Sequence, residues 1–126
     1  KNLDNKIILS ATLIVEKGDK KIIDKNLSAF NNKRKKSQPA AIYNAGSVFK
    51  NTKDYYAGEL IDNAGLKGYE IDGVSVSKKH ANFFVAQKGA KALSLFELVQ
   101  YVKDKVSTKF GIVLEEEIIF IGDFTK

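Results

Sequence analysis

Between Lys6 and Gly18 the run KIILSATLIVEKG sets Ile8, Ala11, Leu13 and Val15 among polar neighbours with enough alternation to predict a strand. Beyond Gly18-Asp19 the period lengthens. Ile23, Leu27 and Phe30 stand at i, i+4 and i+7, one face of a helix running to about Lys36. Asp19 is placed to cap its N-terminus, and the cations of Lys33–Lys36 fall where the C-terminal end of the helix dipole favours them. Gln38-Pro39 ends the helix, because proline cannot continue the turn and restricts the residue before it.

AGSVFKN (45–51) then reads as a turn entering a short strand. YAGELIDNAGLKG (56–68) predicts a short helix with Leu60, Ile61 and Ala64 on one face and Gly65 as its C′ residue. Two strand-like runs follow, within 68–77 and 80–87, with Lys78-Lys79 as a tight link. Leu95, Leu98, Val99, Val102 and Val106 carry the best helical period, about 92–109, and GIVLEEEIIFIG (111–122) closes as a strand. The order β-α-β-α-β-β-α-β predicts a two-layer α+β fold on a mixed sheet, in a single domain over 1–126.

Composition narrows the function more than the fold. With 44% hydrophobic and 29% charged residues among 126, the chain is that of a soluble globular domain. No apolar run approaches the ~18 residues of a membrane span. The absence of cysteine removes thiolate chemistry and cysteine-bound metal, and a single histidine, His80, argues against a histidine-rich metal site. The net charge of +6 suits an anionic partner, but Arg34 is the only arginine, and base readout favours the planar guanidinium. A sequence without methionine is expected to be a piece of a longer chain.

Three groups of residues could carry chemistry. Ser47 follows Gly46 at a strand entry, where it is a turn residue or a positioned proton donor; neither G-x-S-x-G nor a phosphate-binding G-x-x-x-x-G-K-[ST] surrounds it. Glu115, Glu116 and Glu117 lead into an apolar run, so one carboxylate could be drawn inward and its pKa raised, or all three could be solvated. His80 lies beside Lys78 and Lys79 and is either an anion contact or an ordinary strand histidine.

Taken in order, RKKSQP (34–39), NAGSVFKN (44–51), AGELIDNAGLKGYEIDGVSVSKKHANFFV (57–85) and GIVLEEEIIFIG (111–122) resemble the C-terminal part of the UDP-N-acetylenolpyruvoylglucosamine reductases (UDP-N-acetylmuramate dehydrogenases), in the shorter class of that family. The resemblance implies a cytoplasmic bacterial flavoenzyme of peptidoglycan precursor synthesis. It uses NADPH and FAD to convert UDP-N-acetylglucosamine enolpyruvate to UDP-N-acetylmuramate. This chain would be its substrate-binding domain, with the FAD-binding domains upstream, no cofactor of its own, no metal, and no turnover in isolation.

By the same resemblance Ser47 delivers a proton to C2 of the enol after hydride reaches C3, and Glu117 stabilises or protonates the enol form. Glu116 stands where the family has proline, and Ile119 where an arginine is common. Gly46, Asn51, Lys67 and His80 are implied to contact the nucleotide-sugar; Lys50 is a candidate cation near the hydroxyl or the substrate carboxylate by its proximity to Ser47 in sequence. The alternative is a non-catalytic module binding a nucleotide-sugar or a nucleic acid.

Overall fold

The computed structural model describes residues 7–40 and 43–124. Its elements, in chain order, are α1 (Lys20–Ser37), α2 (Ala57–Asn63), β1 (Glu70–Ile71), β2 (Val74–Val76), β3 (Phe84–Ala86) and α3 (Ala92–Phe110). The fold is α+β: the three strands make an antiparallel sheet in the order β1-β2-β3, and α3 packs against that sheet and against α2. The core lies at this junction, where Leu98, Val99, Val102 and Val106 of α3 meet Ile61, Val74, Val76 and Phe84. Their spacing along α3 is the helical period seen in the sequence, and all four α3 residues are fully buried. Tyr69 and Tyr101 stack with ring centroids 4.3 Å apart and tie the entry of β1 to the same helix.

Asp72 and Gly73 make the hairpin between β1 and β2. Both have positive φ, 41° and 81°, as a two-residue turn matched to strand twist requires. The run 68–77 is therefore a complete hairpin rather than one strand. Lys78-Lys79 belong to a longer connection that carries His80 before β3 begins.

Several expectations are corrected. The sheet is antiparallel throughout rather than mixed, and the order is α-α-β-β-β-α. Residues 7–18 form no strand, and each is exposed, Ile14 to 98%; Lys6 lies outside the described residues. Alternation gives a segment a strand's faces, but a ladder needs a neighbouring edge, and no strand of this sheet pairs with the segment. The closing strand expected over 111–122 is reduced to one bridge, Phe49 to Glu116, after which the chain bends and leaves Ile119 and Ile121 exposed. The strand expected after Gly46 is likewise only a pair of isolated bridges.

Helix α1 forms where the period placed it. The Asp19 carboxylate accepts hydrogen bonds from the Lys21 and Ile22 amides at 2.8 and 3.2 Å, so the cap is real. Yet the helix buries nothing: Ile22, Ile23, Leu27 and Phe30 are all exposed.

Candidate functional site

The segment around Ser47 is built by an unusual set of main-chain bonds. The Gly46 amide donates to Asn44 Oδ1 at 3.1 Å, and Gly46 turns the chain at a φ of 82°, which glycine adopts without a Cβ penalty. Ser47 then bridges Phe83, and Phe49 bridges Glu116. On one side the Val48 amide donates to the Asn82 carbonyl at 2.9 Å. On the other, the Lys50 amide donates to the Glu115 carbonyl at 2.9 Å and the Glu117 amide to the Val48 carbonyl at 2.8 Å. Val48 and Phe49 are buried, which anchors the segment in the core while Ser47 stays half-buried.

A cavity of about 440 Å³ lies beside this segment, lined by Asn51, Tyr56, Gly58, Asp62, Lys67 and His80 among others. Asn51 has a structural task as well: its Oδ1 accepts from the Ala57 amide at 3.0 Å, starting α2 where Tyr56 supplies no side-chain cap. Lys67 is ion-paired with Asp62. The His80 ring accepts at Nδ1 from the Asn82 amide, 3.3 Å away, so a neutral ring carries its proton on Nε2. Phe83 packs against the ring with centroids 4.8 Å apart. A Cβ at Gly58 would stand 3.3 Å from His80 Cε1, so glycine lets the first turn of α2 approach the cavity wall.

The three glutamates separate by environment. Glu115 is exposed and pairs with Lys50, Nζ to Oε2 3.2 Å. Glu116 is half-buried and bonded by Lys103 at 2.7 Å. Burial pushes its carboxyl up, but the Lys103 hydrogen bond, aided by a main-chain bond, the Lys103 charge and Gln100, outweighs burial and holds it below the usual carboxylate range. A carboxyl so held is a poor proton donor near neutrality. Glu117 is exposed, and its main chain is bonded to Val48, the residue after Ser47.

Of the residues picked out in the sequence, Asn51, Lys67 and His80 meet in one cavity. Gly46 lines a different one, about 610 Å³, between α1 and the Ser47 turn, with Asn31, Arg34 and Gln38. Lys50 is turned to Glu115. Sequence reasoning passed over Asp62, Tyr56, Gly58 and the buried Asn82. An amide between Ala81 and Phe83 in an apolar run was the available signal for Asn82, since a buried polar side chain is kept only where its hydrogen bonds are made. Among the described residues no group of three or more histidines, cysteines or carboxylates is placed to hold a metal ion, and no helix is long and apolar enough to cross a membrane.

The fold and the cavity together define a small α+β domain with a cleft at its surface that Asn51, Asp62, Lys67 and His80 help to line. Residues 38–121 match the family model described as "UDP-N-acetylenolpyruvoylglucosamine reductase, C-terminal domain". The chain belongs to that family. It is 40% identical over 117 residues to the UDP-N-acetylenolpyruvoylglucosamine reductase of Caldanaerobacter subterraneus subsp. tengcongensis, covering 93% of this chain and 39% of the relative. The enzyme of the same name from Fervidobacterium nodosum is 44% identical over 119 residues, covering 94% and 38%. Among solved structures, UDP-N-acetylenolpyruvylglucosamine reductase from Thermus caldophilus aligns with a TM-score of 0.68 and 33% identity, covering 81% of this chain and 35% of that one. The chain thus spans 38–39% of the length of these two sequence relatives.

Proposed function

We propose that this chain is the substrate-binding and proton-donating part of a cytoplasmic bacterial reductase that converts UDP-N-acetylglucosamine enolpyruvate to UDP-N-acetylmuramate. The observation that carries the reading is the cavity itself. Asn51, Lys67 and His80 are far apart in sequence, yet they line one cleft, and Asn51 continues from the segment bearing Ser47. The cleft's volume is in the range of small-molecule sites, and its amide, ammonium and imidazole N–H groups suit the pyrophosphate and sugar of a nucleotide-sugar. Lys67 shares its charge with Asp62, so an incoming pyrophosphate competes with that carboxylate.

The reaction adds a hydride at C3 of the enolpyruvyl group and a proton at C2. A dinucleotide is commonly held on a glycine-rich turn between strand and helix. The connection from β3 to α3, Gln87–Lys91, has one glycine, and Lys91 offers no side-chain cap. That connection does not fit a flavin dinucleotide, and in this reading FAD, NADPH and the hydride belong to the upstream part. What remains for this chain is the proton. The Ser47 hydroxyl donates it to C2, where the carbon of the enol form is basic enough to take it and placement matters more than acidity. Glu117, beside Val48, is the glutamate assigned to the enol; Glu116 is excluded by its bond to Lys103.

In this reading the chain, 1–126, is the substrate-binding domain, with 38–121 the part that matches the family model, and the exposed apolar side chains of 7–30 meet the upstream FAD-binding part. The chain alone therefore binds substrate without turnover. The test is Ser47→Ala in the polypeptide at its natural length, with substrate-dependent NADPH oxidation and substrate affinity measured side by side. The expected result is near-normal affinity with flavin reoxidation lost. Oxidation that ignores the substrate in the parent protein, or persists in the variant, overturns the reading.

A further inference from the structure

Asn82 is the side chain that joins the two halves of the site. It is 1% exposed, in the loop that also carries His80. Its Oδ1 accepts from the Phe49 amide at 2.9 Å and its Nδ2 donates to the Phe49 carbonyl at 2.8 Å. Its own carbonyl takes the Val48 amide at 2.9 Å, and its amide donates to His80 Nδ1 at 3.3 Å. A strand neighbour would bond alternate residues of this segment. Here one asparagine bonds two consecutive residues, both groups of Phe49 included, from a loop that is not a strand.

We infer that Asn82 is a positioning residue for the reaction: it fixes the main chain that presents Ser47 and couples that placement to the His80 wall of the cavity. The inference rests on the proposed reductase reading for its catalytic consequence, but the clamp itself does not. The pinch adds two side-chain bonds to the main-chain bonds that hold the segment, and those two are what satisfy both main-chain groups of Phe49 on this side. Losing either leaves a buried main-chain group of Phe49 unpaired, and the segment must shift to satisfy it. A shift of about 1 Å at a proton donor is enough to lower turnover by about 100-fold without removing a substrate contact.

The experiment compares Asn82→Asp with the parent at natural length. The aspartate is nearly isosteric; its ionised carboxylate still accepts from the Phe49 amide but cannot donate to the Phe49 carbonyl. The expected result is kcat lower by about 100-fold with KM changed by less than about threefold, while Val102→Ala, a core truncation in α3, loses melting temperature and keeps kcat. Amide hydrogen exchange is the second measurement, made on Asn82→Ser, whose short side chain reaches neither group of Phe49: the Phe49 amide becomes exposed there while the amides of α3 remain protected. Asn82→Ser serves the same comparison if the aspartate does not fold. A kcat close to the parent's in a folded variant, or Phe49 protection unchanged, overturns the inference. Loss of substrate dependence in the parent itself would instead strike the reductase reading, and the exchange result would still decide whether Asn82 holds the segment.

Discussion

Lys103→Met tests what fastens the carboxylate run 115–117 to the core. Methionine keeps most of the aliphatic stem of lysine, so the change removes the ammonium and little packing. The Lys103 and Glu116 side chains are 24% and 25% exposed, between the surface pairs worth about 0.2–1 kcal/mol and the buried ones whose breakage costs about 3–5 kcal/mol. A loss of about 1 kcal/mol near neutral pH follows, or roughly 3–5 °C in melting temperature for a chain of this length. The pH dependence has a definite sign. The Glu116 carboxyl is depressed in the folded chain, so its contribution is present above the ordinary carboxylate pKa and is lost as pH falls through the lower folded value. Thermal unfolding followed by circular dichroism at pH 7, 5 and 3 should show the parent and Lys103→Met apart at the first two and converging at the last. A double-mutant cycle with Glu116→Gln isolates the pair term. An equal gap at pH 7 and pH 3, or no gap at either, would refute the assignment of Glu116 as an ionised, lysine-bonded carboxylate.

Leu98→Ala empties a fully buried position on α3 and is expected to lower stability by about 2–5 kcal/mol in urea titrations, with the midpoint moving and the slope kept. At the cavity, Lys67→Met should weaken substrate binding about tenfold by calorimetry. Asp62→Asn should strengthen binding by a few-fold, because the carboxylate that competes for Lys67 and repels the pyrophosphate is gone. Equal effects of the two substitutions would remove Lys67 from the anion contacts.

The helices were legible in the sequence because each signals locally. Leu98, Val99, Val102 and Val106 repeat at the helical period and are the buried face of α3, and Asp19 and Gly65 mark ends that local hydrogen bonds enforce. The strands were less so. The alternation over 8–15 and the run Ile118–Ile121 carry strand patterns, but pairing depends on an edge elsewhere: 8–15, Ile119 and Ile121 stand in solvent, while Ile118 and Phe120 pack against the core without a ladder. Asp72-Gly73 was the overlooked local signal, a two-residue hairpin turn inside what read as one strand. The residues alone left Ser47, Glu117 and His80 without distinction; their roles came from resemblance, as did the grouping of Asn51, Lys67 and His80. Asn82 was not legible, because its task is a pair of hydrogen bonds to a residue 33 positions away.

The segment that carries Ser47 has the local bond of Gly46 to Asn44 but takes its anchors from far along the chain, and this bears on when the site can come into being. Its bonds reach Asn82 on one side and residues 115–117 on the other, loops of 33 and 65 residues between partners. Contacts so distant in sequence form late, since the entropy of closing the loops is lost before the contacts return it. A nascent chain on the ribosome can wind α2 and turn the Asp72-Gly73 hairpin while residue 117 is still in the tunnel, but the serine then has only half its scaffold. The hydroxyl is set in place only once residues 115–117 have emerged, after α2 and the hairpin have already formed.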